Sequence, residues 1–393
     1  MKRFFFLAAL LSFSAFAQDP EALVSDFKTM LTKRAISPIS EQSFCYQDGS
    51  LVRGYQVEKL QKIASVTKLL STFFASETLD LNKTFKTKLY ISGDRLHIAG
   101  SRDPYFEEEK ILLLISALNS LGYKSFKSVT FDSNFKFYDI ALTSHLDITT
   151  AHTKERLKTY FNIKNVKFIR SKWLATYEFA KEENVDLDKS LTPLLNASTV
   201  ALSEVNPLAS LSPVVYVHES RPFHAIIKSM NVMSKNIVAQ NIFNEASRTK
   251  KFETLMSENG IGRKTYQIYT GSGLPIKTST SRVDNLASCR MVIKVVELLT
   301  KSIKKHNLNL SDVMAVNGGE DLGSFRERFK EYPETHEAVL SKTGTLMNAS
   351  TLAGVLLIGE AVPFAILNQT SDVASAKKFQ DSFVARMLSL IHI

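Results

Sequence analysis

Ala338-Val339-Leu340-Ser341-Lys342-Thr343-Gly344-Thr345-Leu346 reads as a β-strand, followed by a short turn at Asn348-Ala349-Ser350, a second apolar run from Leu352 to Ile358, and a third from Phe364 to Leu367. Runs joined by such short turns build an antiparallel sheet. Near the other end of the chain, Ser43 to Tyr46 and Gly54 to Val57 flank Asp48-Gly49-Ser50 and supply a hairpin to lie beside it. The triplet Lys342-Thr343-Gly344 occurs once in the 393 residues.

Two shorter strings precede that triplet, Ser65-Val66-Thr67-Lys68 and then Ser234-Lys235-Asn236. In this order S-x-x-K, S-x-N and K-T-G form the walls of the site in serine acyl-transfer enzymes that work on D-alanyl peptides or β-lactams. Each string alone is weak, since S-x-x-K recurs at Ser247/Lys250, Ser302/Lys305 and Ser375/Lys378, and S-x-N at Ser257/Asn259. Context separates them: Ser65 opens an apolar helical run, Leu69, Leu70, Phe73 and Phe74, whereas these three S-x-x-K matches lie in lysine-rich sequence.

Each residue type has a chemical reason. Ser65 and Lys68, three apart on a helix, share one face. A serine hydroxyl is a weak nucleophile until a base accepts its proton, and Lys68 can be that base once burial or a second cation, for which Lys342 is the candidate, lowers its pKa. Ser234 would pass the proton toward the leaving amine, while Asn236 would hold Lys68 and a substrate amide; residues two apart in an extended turn point the same way. Lys342 offers charge and Thr343 a hydroxyl to a terminal carboxylate. Gly344 leaves a bare strand edge along which a peptide can lie as an added strand.

Lys2 and Arg3, the apolar stretch Phe4 to Phe13 and the small-x-small Ala15-Phe16-Ala17 read as an export signal, residues 1–17, cleaved after Ala17. No later run approaches the roughly 20 apolar residues that span a bilayer. Phe383 to Ile393 is shorter and reads as a core-packing helix or tail. The net charge of +10, or +8 without Lys2 and Arg3, suits anionic surroundings such as a cell wall. Export, and the lack of a basic helix with interleaved aromatics, argue against nucleic acid. Cys45 and Cys289, both with apolar neighbours, read as two buried free thiols, although an oxidising compartment would permit a disulfide. Eight histidines without ligand spacing and no glycine-rich phosphate loop point to no metal and no cofactor.

The 169 positions between Ser65 and Ser234 far exceed one helix and its turns. A catalytic unit formed by 18–83 and 213–393 is therefore expected to carry an inserted α+β unit, 84–212. Within it, Phe85 to Tyr90, Arg95 to Ala99, Val129 to Phe131 and Asn165 to Ile169 read as strands, and Ile111 to Leu121 and Lys172 to Lys181 as helices. Beyond it, Pro222 to Asn244 and Leu286 to Thr300 have helical spacing.

Further strings, Gly100-Ser101-Arg102-Asp103-Pro104, Phe131-Asp132-Ser133-Asn134-Phe135, Gly271-Ser272-Gly273-Leu274 and Lys342-Thr343-Gly344-Thr345-Leu346, extend the pattern from about Ser43 to Asn368. Over that span the chain resembles the class C low-molecular-mass penicillin-binding proteins, the D-alanyl-D-alanine carboxypeptidase/endopeptidase family of S13-type serine peptidases. The resemblance implies an α+β, β-lactamase/transpeptidase-like fold in which helices flank an antiparallel sheet, with insertions between the first and second motifs. It also implies an oxyanion hole made by the N–H groups of Ser65 and Thr345, a substrate side-chain subsite lined by Leu346, and structural roles for Asp103, Asp132 and Gly271. Three departures fall on side-chain recognition and leave the acylation residues intact. The insertion is shorter than in members with two inserted domains, Thr270 and Pro275-Ile276 replace an aspartate and a serine-arginine pair around Gly271, and no tryptophan-rich, aspartate-bearing loop is found.

The expected function is a periplasmic penicillin-binding serine DD-peptidase that forms an acyl-enzyme at Ser65. It would cleave D-Ala-D-Ala ends and D-alanyl-diaminopimelate crosslinks of peptidoglycan, with β-lactam antibiotics as covalent ligands. A β-lactamase is the runner-up, disfavoured because Ser234 stands where class C β-lactamases have tyrosine and no class A glutamate loop is found. A non-catalytic wall-binding protein is disfavoured by the intact serine, lysines and asparagine. An exported wall-cutting enzyme would have use for a protein inhibitor, which no residue of the sequence shows.

Overall fold

A computed structural model describes residues 20–138, 148–182, 187–278, 280–319 and 323–391; the expected export signal, 1–17, lies outside them. Helix α1 (Pro20–Lys33) leads to the hairpin of β1 (Gln42–Asp48) and β2 (Leu51–Tyr55), and a tight turn at Ala64–Val66 leads into α2 (Thr67–Thr78). Next come β3 (Lys86–Ser92), β4 (Arg95–Ala99), α3 (Glu108–Ser120), β5 (Ser125–Phe131), α4 (Thr150–Tyr160), α5 (Val166–Glu182), β6 (Asn196–Leu202) and β7 (Val214–Glu219). The chain returns through α6 (Phe223–Met233), α7 (Asn236–Thr249), α8 (Phe252–Glu258) and α9 (Cys289–Lys304). It closes with β8 (Ala315–Val316), β9 (Val339–Leu346), β10 (Ala349–Ile358), β11 (Glu360–Asn368) and α10 (Val373–Ile391).

The C-terminal strands and the N-terminal hairpin share one antiparallel sheet, ordered β8-β9-β10-β11-β1-β2, with Gln42 of β1 opposite Asn368 of β11. Successive strand residues face opposite sides, and β11 feeds two cores accordingly. Phe364 and Ile366 pack with Phe27 of α1 and Phe379 and Phe383 of α10, while Ala365 and Leu367 pack with Leu70 of α2 and Val292 of α9. Both faces are covered, which is why β10 is buried from Ala349 to Leu356 and apolar from Leu352 onward. Phe383, Val384, Met387 and Leu388 are buried in this packing, so the C-terminal apolar run, as far as it is described, belongs to a core helix.

On the α9 side small residues line up across three strands, Cys45 opposite Ala365 and Ala365 opposite Ala353, which lets α9 approach the sheet closely. Its first residue, Cys289, thereby comes within 5.9 Å (Cα–Cα) of Cys45 and forms a disulfide with it. This corrects the expectation of two free thiols. Helix α9 starts at Cys289 and not at Leu286 because Ser288 caps it, its Oγ accepting from Met291 N at 3.2 Å.

A second sheet, ordered β6-β5-β4-β3-β7, is parallel between β6, β5 and β4 and antiparallel elsewhere. Its core joins Leu89, Ile98, Val129 and Phe131 to Ile111 and Ile115 of α3, Leu157 of α4 and Trp173 of α5. Two differences from the sequence reading appear here. Asn165 to Ile169 is helical, since Ile169 and Trp173, one helical turn apart, are buried in the same core. Strand β7 pairs with β3, so this sheet runs past residue 212, to Glu219.

Candidate active site

The turn that carries Ser65 is held by two glycines. Ala64, just before it, is buried with φ of 46°, a left-handed conformation costly for a residue with a side chain. A Cβ on Gly273 (φ 84°) would lie 1.9 Å from the Ala64 carbonyl oxygen, and one on Gly344 would lie 3.0 Å from Ala64 Cβ and from the Ile63 oxygen, and 2.2 Å from Thr351 Oγ1. The bareness of Gly344 therefore serves the protein itself, letting β9 press against this turn.

Helix α2 continues the turn and is buried on all sides from Thr67 to Ser76, Lys68 included. The Lys68 ammonium donates to Ser65 Oγ at 3.0 Å, to Asn236 Oδ1 at 2.8 Å and to the Ser272 carbonyl at 2.8 Å. Three acceptors match the three N–H bonds of an ammonium. A neutral amine would keep Asn236 and Ser272 as acceptors and turn its lone pair to the Ser65 hydroxyl. Burial, reinforced by the Lys342 cation, pulls Lys68 well below the usual lysine range and so favours the neutral form.

Asn236 reaches Lys68 as the first residue of α7. Ser234 ends α6 in a left-handed conformation, φ 56°, and its hydroxyl has no hydrogen-bond partner among the described residues; the structure does not join it to either lysine. Lys342 and Gly344 share a face of β9. Lys342 is fully buried and donates to the Thr343 carbonyl at 2.7 Å. Burial, then the Arg328 guanidinium, pull its pKa down to about 7. Arg328 is itself fixed by Asp381, with Nε donating to Oδ1 at 2.7 Å.

Thr343 is buried, Leu346 half-buried and Thr345 exposed. Among the described residues β8 pairs only with Leu340 and Ser341, so from Lys342 onward β9 has no strand neighbour on that edge. The Ser65 N–H lies at the start of its turn, where backbone donors lack intrahelical acceptors.

A sequence profile of the D-Ala-D-Ala carboxypeptidase 3 (S13) family matches residues 187–389, more than half of the chain. The chain belongs to that family. S13 membership makes it a serine-type peptidase. Among curated proteins no match is found. A predatory peptidoglycan endopeptidase from Bdellovibrio bacteriovorus is 24% identical, with a TM-score of 0.75 over 88% of this chain and 92% of that one. The same protein has been solved acylated by penicillin G and in complex with an immunity protein. Penicillin-binding protein 4 from Haemophilus influenzae is 15% identical, with a TM-score of 0.60 over 93% of this chain and 99% of that one. At these identities the structural likeness shows the transpeptidase-like fold, with its α+β architecture.

Several contacts of the S13 site have no motif letter. The loop that brings the Ser272 carbonyl to Lys68 is fixed by Asn285, whose Oδ1 accepts from the N–H groups of Tyr269 and Thr270, and by Gln240, whose Oε1 accepts from Gly271 N at 2.9 Å. Thr270 closes this turn itself, its hydroxyl accepting from Gly273 N and donating to the Leu274 carbonyl. Asp132, as expected of a structural residue, accepts from the N–H groups of Gly100, Asn134 and Phe135. Among the described residues no group of three or more His, Cys, Asp or Glu side chains could hold a metal, and no helix is long and apolar enough to cross a membrane.

Proposed function

We propose that this S13 peptidase is a penicillin-binding DD-peptidase that cleaves D-alanyl bonds of peptidoglycan, both D-Ala-D-Ala ends and D-alanyl-diaminopimelate crosslinks, through an acyl-enzyme at Ser65. One observation carries the reading: a fully buried lysine amine 3.0 Å from a serine hydroxyl, with its remaining donors engaged by Asn236 and the Ser272 carbonyl. Lys68 takes the Ser65 proton as Oγ attacks the D-alanyl carbonyl. The oxyanion is received by the N–H groups of Ser65 and Thr345, and the amine leaves with a proton relayed through Ser234. Water then attacks the ester and frees Ser65. Lys342 and Thr343 hold the terminal carboxylate, Leu346 lines the side-chain subsite, and the unpaired edge from Lys342 accepts the peptide as a strand.

Work on crosslinks is supported by the likeness to an endopeptidase that penicillin G acylates. Export to the periplasm is supported by the composition of residues 1–17 and by the Cys45–Cys289 disulfide, a bond typical of oxidising compartments. Incubation with a penicillin followed by mass spectrometry tests the reading: the parent gains one adduct, on the peptide containing Ser65, and Ser65→Ala gains none. An unmodified parent overturns it. Purified crosslinked muropeptides test the second activity, since trimming of pentapeptide ends alone would remove the endopeptidase claim. A protein inhibitor is the remaining proposed partner, supported by the immunity-protein complex of the Bdellovibrio relative; a pull-down with Ser65→Ala that recovers no stoichiometric protein counts against it.

A further inference from the structure

Lys235 is the variable letter of S-x-N, and nothing in the acylation chemistry requires a lysine there. Its surroundings are unusually complete. The ammonium donates to Glu107 Oε2, lies 3.7 Å from Glu109 Oε1, and stands 4.5 Å above the centroid of the Tyr105 ring. All of these groups come from one short segment at the N-terminus of α3. That segment meets α7 again where Asn241 Nδ2 donates to the Pro104 carbonyl at 3.2 Å and where Arg102 faces Glu245 at 3.8 Å. Tyr105 is 5% exposed, and Tyr138 Oη donates to the Pro104 carbonyl at 3.0 Å, so the receiving surface is packed and preformed.

The three consecutive glutamates divide their work. Glu107 and Glu109 turn to Lys235, whereas Glu108 turns to Lys172 and to Tyr160 Oη within the second core. Glu108 and Glu109 sit in the first turn of α3, where the helix dipole favours carboxylates, and Glu107 is the residue just before it. The Lys235 main chain is tied to both flanking helices, its N–H donating to the Met230 carbonyl at 3.1 Å and its carbonyl accepting from Ala239 N at 3.2 Å, so the socket adds the side-chain hold on a turn whose ends are already placed. Ser234 is in a left-handed conformation, and Lys235 precedes α7 without a side-chain cap on that helix.

We infer that Lys235 is a positioning residue: by anchoring in the Glu107/Glu109/Tyr105 socket of the unit built on the second sheet, it sets the backbone that presents Ser234 and Asn236 to Lys68. The second sheet is thereby part of the acylation apparatus, although it supplies no reacting atom. Asn236 Oδ1 must lie at 2.8 Å from Lys68 Nζ for the amine to aim its lone pair at Ser65, and the socket holds the residue next to it. Loss of either partner frees the turn, since breaking one side of a buried ion pair leaves the other charge uncompensated.

The inference rests on the acyl-enzyme reading, and its test has one readout that does not. Glu107→Gln and Lys235→Met are compared with the parent and with Lys172→Met, which removes the Glu108 ion pair of the same helix but touches nothing on α7. The first readout is amide hydrogen exchange in the full chain. Glu107→Gln and Lys235→Met are expected to speed exchange about tenfold or more at the start of α7, Ile237 to Gln240, and Lys172→Met is expected to leave it unchanged. The second is acylation by a fluorescent penicillin, resolved into noncovalent affinity and acylation rate. Both anchor variants should slow the acylation step roughly 10- to 100-fold with little change in affinity, the two losses should not add in the double variant, and Lys235→Arg should recover part of the rate. Unchanged exchange at residues 237–240 in both anchor variants overturns the inference, as does an equal loss of rate in Lys172→Met at matched melting temperature. A parent that never acylates removes the proposed function instead, and the exchange comparison still decides whether Lys235 anchors the turn.

Discussion

Lys68 faces two demands: three acceptors suit its ammonium, while burial and the Lys342 charge favour its amine. Removal of the proposed base in Lys68→Met should lower the acylation rate by roughly 10²- to 10⁴-fold, measured with a fluorescent penicillin at saturation. The pH dependence follows from both lysines. In the proposed roles, the reactive amine of Lys68 grows with pH, whereas Lys342, with a pKa of about 7, loses the charge it would offer a carboxylate as pH rises. Acylation efficiency should therefore rise with pH and then fall as Lys342 loses its proton, and a profile that is flat from about pH 5 to about pH 10 would contradict the assignment. The spacing of Ser65 and Lys68 made their contact legible in the sequence. The Ser272 carbonyl was not legible, because a backbone acceptor has no letter of its own, and the role of Gly344 in packing needed the position of Ala64.

Two glycines allow β9 and the 271–274 loop to close on the turn before α2. Gly344→Ala should cost about 1–3 kcal/mol by overpacking against Thr351 and Ala64, read as a lowered denaturant midpoint with an unchanged slope. Strands β1, β9, β10 and β11 were legible because their runs end in short turns, and α2 because its apolar residues recur at helical spacing; β8, only Ala315 and Val316, was not read, and β2 starts at Leu51, ahead of the expected Gly54. Asn165 to Ile169 was misread because a short apolar run carries little period, and only the shared burial of Ile169 and Trp173 decides for helix. The disulfide was open in the sequence for a different reason: two cysteines 244 residues apart reveal nothing of their distance until α9 is laid on the small-residue row of Cys45, Ala365 and Ala353. Its loss in Cys45→Ala/Cys289→Ala should lower stability by roughly 3–5 kcal/mol, measured by urea unfolding against the oxidised parent.

Over the whole molecule, two buried lysines set a slope of stability against pH. Lys342 binds its proton only below about 7 when folded, and up to about 10.4 when unfolded. Between those values the unfolded chain holds more protons, so stability rises with pH, by at most about 1.4 kcal/mol per unit for this group. Unfolding free energies at about pH 7 and about pH 9 should differ in the parent and differ less in Lys342→Met; equal slopes would show that Lys342 is charged in the fold.

The pairing of Gln42 with Asn368 has one more result. Strand β1 is among the first segments synthesised and β11 among the last, so a nascent chain holds its serine long before it holds the strand that carries the second lysine. A chain still being synthesised therefore has Ser65 and Lys68 without Lys342, and the three meet only once the C-terminal strands have been made.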